Sequence, residues 1–376
     1  MLSDIMRQQC RLIIVRHMSK KSNQHYVPQF YFRLFSNDGK SICVFNRKNG
    51  THCPAASIKG QASKHKFYGS KEIEDVFSTL EGVFSGPLRL LKNCADLSEL
   101  SESNHLLMLQ SIAFQRARTL AARNSSQPMN DKLTKLFLEV EINKSEDLSD
   151  DQKHDYISYL ELLEADPLRF HLEQIKISID QANLLGDLIP ILLENKTNRP
   201  FIFSDSPAVF HNSYYGRVKL RGVLGFTTPG LQVLLPLSES RALLLIDPQC
   251  YSVKKIRTGN VIHVRELRDI AAINKLQIHS ATTAIYFTNY NHVEYVKGIW
   301  EQESKKLSEN LVSVIEAPSF EQNGDPRGEI VHSFAPLLPV NLNLSFLQHE
   351  VLGDDNYNFS EKGDRFIYST PGCPRK

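Results

Sequence analysis

Twelve consecutive residues, Gln24-His25-Tyr26-Val27-Pro28-Gln29-Phe30-Tyr31-Phe32-Arg33-Leu34-Phe35, constrain this chain more than any other stretch, because no other segment concentrates as many aromatic and polar groups. Pro28 fixes its own φ and suits the first turn of a helix, while it pushes Val27 toward extended backbone. The chain is therefore expected to arrive extended and to turn helical here. At about 100° per residue, Phe30, Tyr31, Phe32, Leu34 and Phe35 cover a wide apolar arc, and Gln29 and Arg33 stack as an i,i+4 pair. A short helix this apolar must be buried. The Gln29–Arg33 pair, with His25 just upstream, is then expected at a cleft or in an internal network rather than in open water.

Three shorter motifs follow in order: Ala113-Phe114-Gln115-Arg116-Ala117-Arg118-Thr119, Phe201-Ile202-Phe203-Ser204-Asp205-Ser206-Pro207 and Leu234-Leu235-Pro236-Leu237-Ser238. With the opening run, they resemble the bacterial domain-of-unknown-function family numbered 4238, whose members begin with a Gln-His-Tyr-Val-Pro-Gln-Phe-Tyr-Leu-Arg run. That family has Thr before the Ser-Asp and Asn after it, where this chain carries Phe203 and Ser206. The resemblance spans residues 21 to 290 and implies a family, not a mechanism.

Composition excludes several classes. At 376 residues and 41% hydrophobic content the chain is globular rather than disordered, long enough for one large domain or two modest ones. A net charge of +2, from 44 basic and 42 acidic residues, provides no global field for a polyanion, so nucleic-acid contact would need a local patch. Cys10, Cys43, Cys53, Cys94, Cys250 and Cys373 form neither a C-x-x-C nor a dense framework, which fits reduced thiols and a cytoplasmic location. Apolar runs such as Leu184 to Leu193, with Asp187 inside, fall far short of the roughly twenty residues of a membrane span. No Gly-rich phosphate loop, dinucleotide fingerprint or His/Cys zinc spacing occurs, so no metal site and no cofactor is assigned.

The first seventeen residues contain Arg16-His17, as a histidine phosphatase would, but Met18 stands where that chemistry requires Gly. The short apolar run there is flanked by Arg on both sides, unlike a signal peptide. Residues 1–17 are thus expected to be an upstream extension, with Met18 as the start, residues 18–300 one α+β domain, and 301–376 a C-terminal helix (Ile299 to Val314, carrying Trp300) and partly irregular tail.

Within the domain, Asn49-Gly50 between β-prone runs predicts a hairpin over 41–57. The basic run from Lys59 to Lys66, beside Phe67 and Tyr68, reads as a solvated loop before it reads as a nucleic-acid contact. Residues 71–195 read as helical, with a stop or kink at Pro87, a helix from Glu102 to Arg123, a flexible polar excursion from Asn124 to Lys153, and helices at 152–164 and 167–193. Strands are expected at 201–203, 232–235 and 242–246, and a helix at 264–280. The fold class is α+β, a predominantly helical middle with an N-terminal hairpin and a small mixed sheet.

On the helix that starts at Glu102, the stripe Leu106, Leu109, Ala113, Ala117 and Leu120 leaves Gln115 opposite, with Arg118 about 60° from it. Asp205 follows a buried strand, where a sheet delivers side chains to a crevice; it suits a general base, a metal ligand or an Asx-turn cap. Glu194-Asn195-Lys196 echoes a nuclease Glu-x-Lys in reversed order. Two functions remain. In the first, Arg33 and Arg118 hold a phosphate-bearing small molecule or nucleic acid, His25 acts as acid or base oriented by Asp205, and Gln29 and Gln115 donate hydrogen bonds. In the second, the same residues form a non-catalytic network tying the N-terminal segment to helices and sheet.

Overall fold

The computed structural model describes residues 23–218, 222–254, 259–307, 312–320 and 326–352. The expectations for residues 1–17, Met18 and the last residues, Gly372 to Pro374 included, lie outside these. The opening stretch behaves as its chemistry demands. Strand β1 (Asn23–His25) pairs antiparallel with β4 (Ser63–His65), and Pro28, at φ −65° and ψ 146°, turns the chain into helix α1 (Gln29–Phe35). Tyr31, Phe32, Leu34 and Phe35 of α1 are buried. Their rings enclose Phe203, with centroids at 5.3 Å (Tyr31), 5.4 Å (Phe32) and 4.5 Å (Phe35), while Tyr286 closes the other side at 5.0 Å. The Tyr31 hydroxyl donates to the Pro236 carbonyl, which lies at an irregularity in strand β8 (Gln232–Ser238).

Two sheets share this core. The hairpin expected over 41–57 forms as β2 (Ser41–Asn46) and β3 (His52–Ser57), with Gly50 at φ +72° under the Trp300 ring. An added Cβ there would stand 3.1 Å from that ring, so the turn needs glycine both for its dihedral and for its space. These strands join β12 (Ala284–Phe287) and β6 (Phe203–Ser204) in an antiparallel sheet of order β3-β2-β12-β6. The second sheet is mixed: β11 (Val261–Val264) lies parallel to β5 (Ile189–Asn195), followed by β9 (Arg241–Ile246), β8 and β7 (Val209–His211), all antiparallel. Every residue of β8 is buried, as expected of a strand covered on both faces.

Helices cover these sheets, several with bounds that differ from those expected. Helix α2 (Lys71–Asn93) continues past Pro87, so the chain does not stop there; the Val83 carbonyl that loses its partner belongs to an exposed residue and can meet water. Helix α3 (Glu102–Ala117) ends before Arg123, because the Thr119 hydroxyl accepts from the Ala122 amide at 3.1 Å and starts a new helix, α4 (Leu120–Lys144). The polar excursion expected from Asn124 is therefore mostly helix. A capping box on Ser149 and Gln152 opens α5 (Asp150–Leu160), and α6 spans Pro167–Asp180. The helix expected to reach Leu193 instead yields to β5, since a continuous apolar run has no period to separate strand from helix.

Helix α7 (Leu267–Ser280) holds the segment before β7 by its backbone: Asn274 accepts from the Ile202 amide (3.1 Å) and donates to the Pro200 carbonyl (2.8 Å), and Gln277 accepts from the Ser204 amide and donates to the Pro207 carbonyl, both at 3.0 Å. Helix α8 (Val293–Glu303) is shorter than the expected Ile299–Val314. After it, β13 (Ser313–Phe320) and β14 (Pro326–Phe334) form an antiparallel hairpin where little periodicity was legible. Beyond, Val340, Leu342, Leu344 and Phe346 alternate into the core, so this part of the tail does wrap the body. Among the described residues no helix is long and apolar enough to cross a membrane.

Phe203→Ala removes the ring on which four others close, and should destabilise the protein by about 3–5 kcal/mol, read as a lower urea midpoint at unchanged m-value.

Candidate functional site

Arg118 is the largest fully buried side chain. Its Nη1 binds Glu81 Oε1 at 2.7 Å, its Nε donates to the Tyr68 hydroxyl at 3.1 Å, and its Nη2 donates to the His25 carbonyl, with the Phe114 ring 4.4 Å from the guanidinium. Gln115, three residues earlier, donates to the Tyr26 carbonyl at 3.1 Å. The two side chains thus reach consecutive carbonyls of the extended segment before α1. Gln115, expected opposite the apolar stripe, is itself buried because α3 is covered on both faces. The His25 ring bonds the Lys59 carbonyl at 3.2 Å, and burial lowers its pKa.

Asp205 is fully buried and accepts from the Thr282 and Thr283 amides at 2.7 and 2.8 Å and from the Thr283 hydroxyl. Burial raises its pKa against those hydrogen bonds. It caps the turn between α7 and β12 and lies near the Tyr26 hydroxyl, which burial and then the Asp205 charge push up. Among the described residues no hydrogen bond or ion pair joins His25 to Asp205. Gln29 and Arg33 do pair, at 3.1 Å, but on the outer side of α1, where Arg33 is exposed. His25, Gln115 and Arg118 therefore converge, Asp205 connects to them only through the Tyr26 region, and Gln29 and Arg33 stand apart. A cavity beside Gln115 is about 10 Å³, the size of one water. Glu194 lies in an ion cluster with Lys196 (2.8 Å), Arg241 (2.8 Å) and His263 (3.1 Å), and no three His, Cys, Asp or Glu among the described residues could hold a metal.

A chamber of about 760 Å³ opens on the other side of α3. That is within the span of small-molecule sites. Its walls are the end of α3, the start of α4, one face of α6, residues 206–210, the end of α7 and residues 333–339. Arg116 projects here because it lies two residues from Arg118, about 200° around the helix. Its guanidinium sits 3.9 Å over the Phe210 ring, and among the described residues it has no hydrogen bond and no carboxylate partner. Burial alone acts on it, lowering its pKa to about 10 and leaving it cationic at neutral pH. The first turns of α4 line the same space.

Other polar groups line the chamber, among them Glu173, Ser206 and His279. Ser206 is buried, and its hydroxyl has no hydrogen-bond partner. His279 is buried at the end of α7, with Nε2 3.1 Å from Glu303 Oε2. Glu303 also binds Lys275 at 2.8 Å and Lys306 at 3.4 Å. Burial pushes its carboxyl up, but the hydrogen bonds from Lys275 and His279 outweigh this and hold it at about 2. The sequence reading missed Arg116, Ser206, His279 and Glu303. Arg116 and Ser206 lay inside quoted motifs; His279 and Glu303, 24 residues apart, share no local pattern.

A family model described as "Protein of unknown function (DUF4238)" matches residues 23–291. No curated protein and no solved structure matches the chain.

Removing the Arg118 charge by Arg118→Met leaves Glu81, Tyr68 and the His25 carbonyl without their donor, and should cost about 3–5 kcal/mol in a denaturant melt. The Glu303 carboxyl, depressed in the folded state from an ordinary 4.5 to about 2, contributes stability that is fully present above that ordinary value and is lost as pH falls toward 2. Stability measured from pH 6 to pH 2 should therefore decline less steeply in Glu303→Gln than in the parent protein.

Proposed function

The chain belongs to the DUF4238 family, and from that premise we propose that it binds a phosphate-bearing small molecule, such as a nucleotide, in the chamber beside Arg116. The observation that carries this reading is a cationic side chain that faces a ligand-sized space and makes no ion pair among the described residues, the Glu173 carboxylate being on the opposite, α6 wall. Uncompensated charge in a half-buried site is costly, and a bound anion removes that cost. Phe210 lies under the guanidinium, and the first turns of α4 line the same volume. In this reading His25, Gln115, Arg118 and Asp205 are structural: they hold the walls and touch no ligand, while Gln29 and Arg33 lie outside the site. A small molecule is favoured over a nucleic acid because Phe67 and Tyr68, the aromatics beside the Lys59–Lys66 run, are buried and cannot stack on bases. Cys43, Cys53, Cys94 and Cys250 form no disulfide among the described residues, which supports a reducing, cytoplasmic location.

Calorimetric titration with inorganic phosphate and a series of nucleoside phosphates tests this. Arg116→Met should weaken binding by about 10- to 100-fold, the worth of a charge-assisted hydrogen bond, without lowering the melting temperature, since it removes an unpaired charge. Absence of binding by every phosphate compound, or full affinity in Arg116→Met, would overturn the assignment.

A further inference from the structure

We propose that His279, held by Glu303, is the proton acceptor for hydrolysis of a phosphate ester in this chamber; the proposal rests on Arg116 holding the phosphate. Because the ionised Glu303 can only accept, the hydrogen on His279 must sit on Nε2, the atom 3.1 Å from the carboxylate. That leaves the lone pair on Nδ1, which has no hydrogen-bond partner among the described residues, on a ring that lines the chamber. A neutral imidazole whose far nitrogen is fixed by a carboxylate is the arrangement of a general base. Lys275 and Lys306 hold that carboxylate in place, and Ser280, next to His279, donates to the Ser206 carbonyl at 3.2 Å, tying the two walls together. Buried His171, by contrast, bonds only the Ala117 carbonyl and faces rings.

Water, not Ser206, is the nucleophile. The Ser206 hydroxyl has almost no accessible surface, and the next residue, Pro207, has no amide hydrogen to complete an anion hole beside it. In the step, the water oxygen bonds to phosphorus as the bond from phosphorus to the alcohol oxygen breaks. The water proton passes to Nδ1 of His279, Glu303 balances the imidazolium, and the proton then goes to the departing oxygen, giving the alcohol and inorganic phosphate. Arg116 neutralises the phosphoryl oxygens throughout.

The test combines phosphate release from p-nitrophenyl phosphate and nucleoside monophosphates with binding of inorganic phosphate. His279→Gln should lower kcat by about 10²- to 10⁴-fold with phosphate affinity unchanged. The groups facing His279 are Glu303 on α8, Arg47 after β2 and Lys306, with Lys275 behind Glu303; burial lowers the His279 pKa and the Glu303 contact opposes that. Glu303→Gln should therefore lower kcat and move the acid limb of the pH–rate profile to lower pH. Diethyl pyrocarbonate should modify His279, and bound phosphate should protect it. If phosphate binds while no ester is turned over, if His279→Gln keeps the parent kcat, or if His279 resists the reagent, this proposal falls and the binding reading stands; if phosphate does not bind, both fall.

Discussion

Extended backbone buried in a core must find partners for its amides and carbonyls, and in this protein two such segments are met largely by helix side chains rather than by long strands. An unmet buried polar group costs about 1–3 kcal/mol, so the requirement is strict. Helix α3 meets it at residues 25–26 with Gln115 and Arg118; helix α7 meets it at residues 200–207 with Asn274 and Gln277. Both pairs are spaced three apart, the spacing that puts two side chains on one helix face. The aromatic cluster around Phe203 forms between the two held segments.

Once these faces are committed inward, the residues between them have to look elsewhere. Arg116 cannot share a direction with Arg118 and turns to Phe210. His279 lies two residues past Gln277 and likewise leaves the held segment, reaching Glu303. Ser206 lies between two residues whose backbone Gln277 grips, which fixes its hydroxyl without satisfying it. The chamber is thus the complement of the core: the helices that immobilise backbone on one face present charge on the other.

Much of this was legible before any coordinates. The turn at Pro28, the hairpin around Asn49-Gly50, strands β8 and β9 and helix α7 follow from local chemistry that tertiary contacts reinforce. Helix α4 did not read as a helix because its outward residues, such as Leu133 and Phe137, are themselves apolar and exposed, which erases the amphipathic contrast. Strand β5 read as helix because burial on both faces removes the alternation. Gln115, Arg118 and Asp205 were legible as buried polar groups, but their neighbours Arg116 and Ser206 were not legible as chamber residues, since periodicity reports which face is apolar and not what space lies beyond it.

The chamber also crosses a boundary in the chain. Arg116, Phe210, Ser206 and His279 belong to residues 23–291, by which the chain is assigned to its family, whereas Glu303, Val312 and the wall at 333–339 are encoded after that stretch. The unpaired cation thus lies within the family stretch, and part of the wall around it lies after that stretch. The downstream part carries a double duty, because the same stretch that bounds the opening also sends Val340, Leu342, Leu344 and Phe346 into the core.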